Sequence, residues 1–565
     1  MELAIKNYKM WLNKIKEHEI LEDLVSIKGD FQEIEDRFGS DIKFGTAGLR
    51  GVMQSGSNRM NIYTVRKATQ GLANYLNSKN KNFETKELII VISYDSRINS
   101  KLFAWESASV MAANNIKVYL TSELAPTPFL SYCIRKLGAQ AGIMITASHN
   151  TAEYNGYKCY GGDGAQIDEI ISNEIYGYIS RVDIFNDINR IEYERGIESG
   201  RIKFIGESLT DAYLNEILSQ RILKTTSENL NITYTPLNGA GNKYVRKALK
   251  LSGFEQVSVV KAQEEPDGNF TTCPYPNPEK IEAFYEAIKV AKLNESDIIL
   301  ATDPDSDRLG VCVKQEDDYR LLSGNEIGAL LTDYILKHKS DKKLLPKCGI
   351  ICKTIVSTTM VDKISESYGC EVKNVLIGFK NIAREIMELE KNGREEDYVF
   401  GFEESNGYLC GSYVRDKDAV SAAILVCEMA AYYKSALGLN LAQVLEKMYS
   451  KYGYFGEKTL SYEFRGPSSN SKIQKIMEFF REAKVLSIGN NKVGNTLDYL
   501  NFDGNSKSNI IELRLENDAK LIIRPSGTEP KIKFYVLVKA NSKAEKDRLI
   551  QEFCEFVESC MRNLI

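Results

Sequence analysis

A serine, a histidine and a lysine follow one apolar stretch closely enough to take part in the same chemistry. The run Ala141–Ile145 predicts a buried strand, and the sequence TASHN after it puts Ser148 on a tight turn. His149, one of only three histidines, is the next residue, and Lys158 follows ten positions after Ser148. Ligands of open α/β sheets bind at such strand ends. A hydroxyl, an imidazole and an ammonium group there suit phosphoryl or acyl transfer, and a polar loop after a core strand is the alternative.

Three aspartates follow a second predicted buried strand. In DPDSDR the residues Asp303, Asp305 and Asp307 alternate, so a turning backbone lets their carboxylates converge on one hard cation. Ligands that are all oxygen favour Mg²⁺, Mn²⁺ or Ca²⁺ over zinc. An EF-hand is rejected, because it needs Gly and Glu where this chain has Arg308 and Lys314. Three acids at one strand end repel one another unless a cation or Arg308 compensates, so the sequence favours a metal site over a solvated loop.

Three other segments carry side chains that suit a phosphorylated sugar. In GFEESNGY, Glu403 and Ser405 combine a charged acceptor with a hydroxyl, which suits two neighbouring sugar hydroxyls. In RPSGTEPKIKFY, the Arg524 guanidinium is suited to hold a phosphate with two hydrogen bonds, and the segment lacks the Walker pattern GxxxxGK[ST]. In KFGTAGLRGVM, Arg50 is flanked by glycines that allow close backbone approach to an anion. Each segment also has a simpler interpretation when it is taken alone. GFEESNGY could be a surface turn, RPSGTEPKIKFY a basic strand end, and Arg50 a solvated loop arginine.

The elements that position these segments alternate between strands and helices. Residues 87–145 read as a βαβαβ succession, and the same pattern restarts near residues 230 and 325, which predicts three similar α/β units. Near the C-terminus, TLSYEF, NIIELRL, AKLIIRPSG and KIKFYVLVKA alternate apolar and polar residues. They predict an α+β domain of four antiparallel strands and two helices. Residues 1 to about 40 read as helical.

These patterns divide the chain into four predicted domains. Residues 1–205 carry the serine loop, residues 206–320 the metal-binding loop, residues 321–452 the sugar-recognition loop and residues 453–565 the phosphate-binding loop. Because each loop follows a strand, we expect a cleft between the domains in which one end of a phosphorylated sugar meets Ser148 and the other end meets Arg524.

The composition is that of a globular protein and argues against several other classes. Of 565 residues, 43% are apolar and 27% charged, and the net charge of −4 with interleaved lysines gives no reason to expect nucleic acid. The N-terminus lacks a signal-peptide pattern. The longest apolar helical run, residues 419–433, is too short to span a bilayer and is expected to be a buried helix, so no membrane partner is expected. Eleven scattered cysteines indicate reduced thiols in a cytoplasmic protein.

Taken in order, five motifs resemble those of the phosphoglucomutases and phosphomannomutases of the α-D-phosphohexomutase superfamily. They are KFGTAGLRG, TASHN with YNGYK, DPDSDR, GFEESNGY and RPSGTEPK, and they span nearly the whole chain. The resemblance implies four domains in a heart shape: three related α/β units with mixed sheets and a smaller C-terminal α+β domain. It also implies a mutase that interconverts hexose 1-phosphate and hexose 6-phosphate, with glucose as the first choice and mannose as a further candidate sugar.

Other activities remain open at this point. A phosphopentomutase acting on ribose or deoxyribose 1-phosphate is the runner-up, because the same branch of the superfamily contains such enzymes. A metal-dependent sugar phosphatase with Ser148 as nucleophile is another, but it would not need a second phosphate-binding loop such as residues 524–528. A non-catalytic sugar-phosphate sensor would not need an intact serine and aspartate set.

The resemblance also implies a role for each motif. Ser148 resembles the serine that becomes phosphorylated, and Asp303, Asp305 and Asp307 resemble the Mg²⁺ ligands, with the phosphoserine completing the metal sphere. Arg50, His149 and Lys158 match positions around the transferring phosphate. The resemblance does not rank them as general base. Positions that resemble substrate contacts are Arg308, Lys380, Glu403, Ser405, Arg524, Ser526, Gly527 and Thr528.

The expected cofactors and partners follow from the same resemblance. They are Mg²⁺, glucose 1,6-bisphosphate or the matching sugar bisphosphate as activator, and a small-molecule phosphosugar as substrate, in a monomer or dimer. One position departs from the family pattern: Thr151 stands where the family usually has proline after Ser-His-Asn. Because proline would stiffen the turn, we expect a modestly looser serine loop.

Overall fold

A computed structural model describes residues 1–45, 48–80, 87–224, 229–464, 469–482, 485–501, 507–526 and 530–564. The chain divides into two compact units. The first unit consists of Met1–Leu321 and Gly407–Ala431, and the second unit of Leu322–Asn406 and Tyr432–Ile565.

The first unit begins with three short helices where the sequence predicted one helical stretch: α1 (Glu2–Lys14), α2 (His18–Ser26) and α3 (Phe31–Phe38). The Asp30 side chain starts α3 anew by accepting hydrogen bonds from the amides of Gln32 and Glu33. Trp11 is buried and its ring packs edge-on against Phe38 at 5.6 Å between centroids. The three helices therefore share the core of the first sheet.

The first sheet has six strands in the order β1-β5-β4-β2-β3-β6. Strand β2 pairs in parallel with both β3 and β4, and β3 pairs in parallel with β6. Strand β5 pairs antiparallel with both β4 and β1. The strands are β1 (Gly48–Val52), β2 (Ile89–Tyr94), β3 (Lys117–Leu120), β4 (Ala141–Ile145), β5 (Tyr154–Gly161) and β6 (Ile202–Phe204). The helices are α4 (Ile62–Asn80), α5 (Ser100–Ala113), α6 (Thr127–Leu137), α7 (Glu169–Ile179) and α8 (Tyr193–Glu198).

The second sheet of the first unit has five strands in the order β11-β10-β9-β7-β8. Strand β9 pairs in parallel with β7 and antiparallel with β10, which makes this sheet mixed as well. Its elements are α9 (Glu207–Ser219), β7 (Ile232–Thr235), α10 (Gly241–Leu251), β8 (Val257–Val259), α11 (Tyr285–Leu293), β9 (Ile298–Thr302), β10 (Leu309–Gln315) and β11 (Asp318–Leu322), with 3₁₀ turns at Lys261–Gln263 and Ile281–Phe284.

The third α/β region lies in the second unit, except for residues 407–431, which belong to the first unit. Strand β12 pairs in parallel with both β13 and β14. The elements in chain order are α12 (Gly324–Asp341), β12 (Ile350–Thr354), α13 (Met360–Ser367), β13 (Glu371–Val375), α14 (Phe379–Lys391), a 3₁₀ turn at Glu395–Asp397, β14 (Tyr398–Glu403), β15 (Gly407–Cys410), α15 (Ala419–Leu437) and α16 (Leu441–Tyr452).

Helix α15 is the one described helix whose length and apolar composition would allow it to cross a bilayer. Its mean hydropathy reaches 1.2, and 72% of its most apolar window is buried inside the protein. Burial on that scale is what the core helix of a globular protein requires, as the sequence predicted for residues 419–433.

The C-terminal region forms a six-stranded sheet in the order β16-β21-β20-β19-β18-β17, with helices α17 (Ser469–Glu482) and α18 (Lys543–Leu564). The prediction of two helices is confirmed and that of four strands is wrong. The strands are β16 (Tyr454–Glu463), β17 (Ser487–Ile488), β18 (Asn491–Asp498), β19 (Ile511–Leu515), β20 (Lys520–Pro525) and β21 (Lys531–Ala540). Strand β18 was missed because none of its side chains is buried, so it has no apolar alternation to detect.

Candidate active site

The three aspartates lie together on the turn between β9 and β10. These strands are antiparallel neighbours, with Thr302 opposite Leu309, so residues 303–308 form a tight connection in which Ser306 takes a positive φ of 52°. One ligand oxygen of each carboxylate lies within 4.8 Å of the other two, and all three residues are buried. The predicted convergence of Asp303, Asp305 and Asp307 is confirmed.

The glycine-rich turn after β7 supports this aspartate loop from behind. The amide of Ala240 donates to the carbonyl oxygen of Pro304 at 2.8 Å. A Cβ atom on Gly239 would lie 2.5 Å from the Cα of Pro304, closer than any side chain permits. Glycine at this position therefore allows the two loops to touch.

Ser148 lies beside the aspartates on the turn after β4. Its φ of 52° is in the left-handed region, and its amide donates to Thr146 Oγ1 at 2.8 Å. The Ser148 hydroxyl donates to Asp303 Oδ2 at 2.8 Å and lies 3.2 Å from His149 Nδ1. The structure thus brings together a hydroxyl and a carboxylate that are 155 residues apart in the sequence.

Two lysines reach the aspartates from different elements. Lys158 Nζ, on β5, lies 2.7 Å from Asp305 Oδ2 and 3.6 Å from Asp307 Oδ2. Lys417 Nζ lies 2.8 Å from Asp307 Oδ2 and 3.3 Å from Asp416 Oδ1. Sequence reasoning missed Lys417. The available signal was a lysine between two aspartates in VRDKDA, directly before a long apolar helix.

Thr127 is a second residue that the sequence did not single out. It begins α6, and its hydroxyl donates to Asp305 Oδ2 at 2.9 Å while its amide donates to the Asp305 carbonyl at 2.9 Å. The PTP turn after β3 was the available signal, because the ends of parallel strands meet at one sheet edge.

The aspartate charges are balanced unequally. Burial raises the pKa of Asp303, and the neighbouring carboxylates of Asp305 and Asp307 raise it further. Burial also acts upward on Asp305, but the Lys158 ammonium more than offsets it and holds the pKa of Asp305 below its usual range. The pKa of Asp303, the carboxylate that accepts the Ser148 hydroxyl, and that of Asp305, which Lys158 contacts, are therefore shifted in opposite directions.

The two predicted proton carriers differ in charge. Burial of the His149 ring lowers its pKa well below the usual value, and the guanidinium groups of Arg308 and Arg50 lower it further. For Lys158, burial acts downward, but Asp305 and Asp307 more than offset it and raise the pKa. At neutral pH the imidazole is consequently neutral and the lysine is an ammonium group.

The donor set fits a hard divalent cation. Within the described part of the chain, Asp305 Oδ1 and Asp307 Oδ1 are buried without a hydrogen-bond partner. A buried carboxylate oxygen without a partner is unfavourable, and a metal ion held by three carboxylates would satisfy both oxygens. The ligands are all oxygen, which suits Mg²⁺ better than zinc.

Two predicted arginines lie around the same loops. Arg50, on β1 and opposite Gly156 of β5, donates to Asn150 Oδ1 at 3.5 Å. Arg308 forms an ion pair with Glu279, and its Nε lies 3.8 Å from Asp307 Oδ1. Arg50 therefore contacts the loop that carries Ser148, and Arg308 contacts the aspartate loop.

The remaining predicted contacts belong to the second unit. Glu403 ends β14 and is buried, Ser405 lies in the turn that follows, and Lys380 is the second residue of α14. Arg524 lies in β20 opposite Lys533 of β21, and the Ser526 amide donates to the Lys531 carbonyl at 2.7 Å. Gly527 and Thr528 lie outside the described residues.

Comparison with known families accounts for most of the chain. The four models of phosphoglucomutase/phosphomannomutase match in order: α/β/α domain I over residues 41–184, domain II over residues 211–316, domain III over residues 323–452 and the C-terminal domain over residues 473–556. The chain belongs to the phosphoglucomutase/phosphomannomutase family. The resemblance inferred from five motifs is confirmed, and so is the fold class of three α/β units with mixed sheets and a C-terminal α+β domain.

Individual relatives agree with this assignment. A phosphoglucomutase of Staphylococcus haemolyticus is 36% identical over 515 residues, which cover 89% of this chain and 91% of the relative. Parafusin of Paramecium, described as a phosphoglucomutase, has the same fold with a TM-score of 0.70 at 16% identity, covering 93% of this chain and 96% of that one. N-acetylphosphoglucosamine mutase of Aspergillus fumigatus, solved with GlcNAc-6P and magnesium, has a TM-score of 0.51 at 14% identity, covering 92% and 96%.

Proposed function

We propose that this protein is a phosphohexose mutase that exchanges the phosphoryl group of hexose 1-phosphate and hexose 6-phosphate, with glucose as the preferred sugar. The observation that carries the proposal is the 2.8 Å hydrogen bond from the Ser148 hydroxyl to Asp303, inside a buried set of three aspartates. Family membership and the phosphoglucomutases of similar sequence support the same activity.

The proposed reaction passes through phosphorylated Ser148. The phosphoserine gives its phosphoryl group to the free hydroxyl of the sugar monophosphate, forming a sugar bisphosphate. That bisphosphate turns end for end and returns its other phosphoryl group to Ser148. Glucose 1,6-bisphosphate would phosphorylate unmodified Ser148 and so act as activator.

Side chains of the first unit divide the work of proton transfer and charge stabilisation. The neutral His149 imidazole, 3.2 Å from the serine oxygen, is suited to accept a proton. The Lys158 ammonium is suited to stabilise transferring oxygens and to give a proton back. Arg50 and Arg308 would hold the phosphoryl oxygens through charged hydrogen bonds.

Asp303, Asp305 and Asp307, with the phosphoserine, would hold Mg²⁺. Bound there, the cation would offset charge on the transferring oxygens. Lys158 and Lys417 now contact the same carboxylates, so both side chains would share Asp305 and Asp307 with the metal.

Residues of the second unit are proposed to recognise the rest of the substrate. Glu403 and Ser405 suit neighbouring sugar hydroxyls, and Lys380 and Arg524 suit phosphate oxygens. The predicted domains, residues 1–205, 206–320, 321–452 and 453–565, would each contribute one of these loops. A cytoplasmic location is proposed because all eleven cysteines are free thiols.

The function is tested by incubating the protein with Mg²⁺, a trace of glucose 1,6-bisphosphate and glucose, mannose or ribose 1-phosphate in turn. We expect glucose 6-phosphate without release of inorganic phosphate. Free phosphate would indicate a phosphatase, fastest conversion of ribose 1-phosphate would indicate a phosphopentomutase, and no reaction with any sugar would contradict the mutase proposal.

A further inference from the structure

The Arg97 side chain lies against the serine loop, residues 146–154, and is completely enclosed. Its guanidinium donates to four carbonyl oxygens of that loop. These are Ser148 O at 2.5 Å, Asn150 O, Thr151 O at 2.8 Å and Tyr154 O at 3.1 Å. A single charged group thus spans the chain from the predicted nucleophile to the start of β5.

Asp95 connects the same group to the other side of Ser148. Its Oδ2 lies 3.3 Å from Arg97 Nε and accepts the Thr146 hydroxyl at 2.6 Å, while Thr146 Oγ1 accepts the Ser148 amide at 2.8 Å. The other carboxylate oxygen accepts the Ser100 hydroxyl at 2.7 Å. Both the amide and the carbonyl of Ser148 are therefore fixed by one buried ion pair.

The backbone of Ser148 needs such support. Its φ of 52° lies in the left-handed region, which disfavours residues with a Cβ by about 1–2 kcal/mol. Strained conformations of this kind persist only where the surroundings over-determine them. Neither Asp95 nor Arg97 contacts the three aspartates by a hydrogen bond or ion pair in the described chain, so their contacts hold the loop that carries Ser148 and not the aspartate loop.

The far side of Arg97 is closed by the second α/β region of the first unit. The guanidinium lies 4.9 Å from the ring centroid of Phe270, which is buried. A Cβ on Gly268 would lie 2.6 Å from the Ile98 amide nitrogen. This close packing excludes water from the ion pair and keeps its hydrogen bonds strong.

We propose that Arg97, held by Asp95, is the positioning residue that fixes the Ser148 hydroxyl in its reactive geometry. Its bonds to Asn150 and Thr151 hold the part of the turn where Thr151 stands in the family's proline position. The expected loss of kcat rests on the proposed role of Ser148 as nucleophile. The structural consequence of the inference, a rigid serine loop, is independent of that role.

The first variant is Arg97→Lys, which keeps the charge but cannot donate to four carbonyl groups at once. We expect kcat to fall about 100-fold with KM within about threefold, because a nucleophile displaced by about 1 Å loses rate rather than affinity. Hydrogen exchange of peptides spanning residues 146–154 should become at least about tenfold faster as the loop loosens. Asp95→Asn should change both quantities in the same direction.

The matched control is Arg37→Lys, a buried arginine paired with Asp23 and Glu33 at 2.9 and 2.7 Å, outside the site. It should leave kcat and exchange of residues 146–154 unchanged even if the thermal midpoint falls. In a preparation of Arg97→Ala that folds, added guanidinium ion should restore part of kcat.

The results separate this inference from the proposed function. If Arg97→Lys keeps wild-type exchange in residues 146–154, the positioning role is wrong whatever the activity. If the wild-type protein shows no mutase activity while Arg97→Lys loosens the loop, the proposed function fails and the positioning of Ser148 stands. If Arg37→Lys loosens the same peptides equally, the effect is general destabilisation and the inference is overturned.

Discussion

The serine and aspartate loops of the first unit differ from the predicted recognition loops of the second unit in how their charges are held. Ser148, Asp303, Asp305 and Asp307 are almost fully buried, and each is held by hydrogen bonds or ion pairs: Ser148 to Asp303, Asp305 to Lys158 and Asp307 to Lys417. Arg524, in contrast, is partly exposed near the end of an antiparallel strand. Buried charges demand specific partners, so the first region is rigid by necessity. The difference predicts that changes in the first region mainly lower kcat and changes in the second mainly raise KM.

Replacing Ser148 by Ala is the strongest test of the first region. We expect activity to fall by more than about 10⁴-fold, because the group that receives the phosphoryl is removed. The thermal midpoint should stay close to that of the wild type. Ser405→Ala is the matched change in the second unit, and its kcat should stay within about tenfold of the wild-type value. Equal losses in the two variants would abolish the contrast between the regions.

Asp305→Asn removes one ligand charge and the nearer of the two carboxylate partners of Lys158. The predicted loss in kcat is about 10²–10³-fold, corresponding to several kcal/mol of metal-supplied stabilisation. A titration of activity with Mg²⁺ should show a higher concentration at half-saturation. Asp318→Asn, on an exposed position of the same sheet, is the control and should show neither effect. A wild-type metal response in Asp305→Asn would contradict the ligand assignment.

Arg524→Ala tests the second region directly. A charged hydrogen bond to phosphate contributes about 1.5–3 kcal/mol, so kcat/KM should fall about 10–100-fold, chiefly through KM. Steady-state kinetics with the preferred sugar phosphate measures both constants. Lys533→Ala, at the position opposite Arg524 in the sheet, should change KM less. A large loss in kcat with an unchanged KM would mean that Arg524 acts in the chemical step.

Glu457→Gln should have the smallest effect and concerns stability. Burial raises the pKa of Glu457 to about 7, the Thr358 hydrogen bond lowers it and Glu326 raises it, while Lys546 and Lys353 act weakly downward. Between about pH 4.5 and 7 the native state keeps a proton that the unfolded state releases, so stability falls as pH rises.

The variant removes this pH dependence. At pH 8 it should be more stable than the wild type by about 1–2 kcal/mol, with no gain at pH 4.5. Urea unfolding at the two pH values measures the difference. Glu463→Gln, at the exposed end of the same strand, provides the reference. A gain of equal size at both pH values would exclude the titration of Glu457 as the cause.

Much of the fold was predictable because its signals are local. The run Ala141–Ile145 coincides with β4, and the turn at Ser148 follows from the small and polar residues after it. Strand β18 was not predictable, because a strand without any buried side chain has no apolar period. The helical stretch at the N-terminus was recognised, but its division into three helices depends on local capping such as that by Asp30.

The sequence alone determined the order of the motifs, the strand ends at which they lie and the family to which they belong, since these depend on neighbouring residues. Only the tertiary structure decided that Lys417 and Thr127 contact the aspartates and that Arg97 holds the serine loop. The reason is physical: a buried charge is stabilised by whichever group the fold brings within about 3 Å. That partner can lie anywhere along the chain.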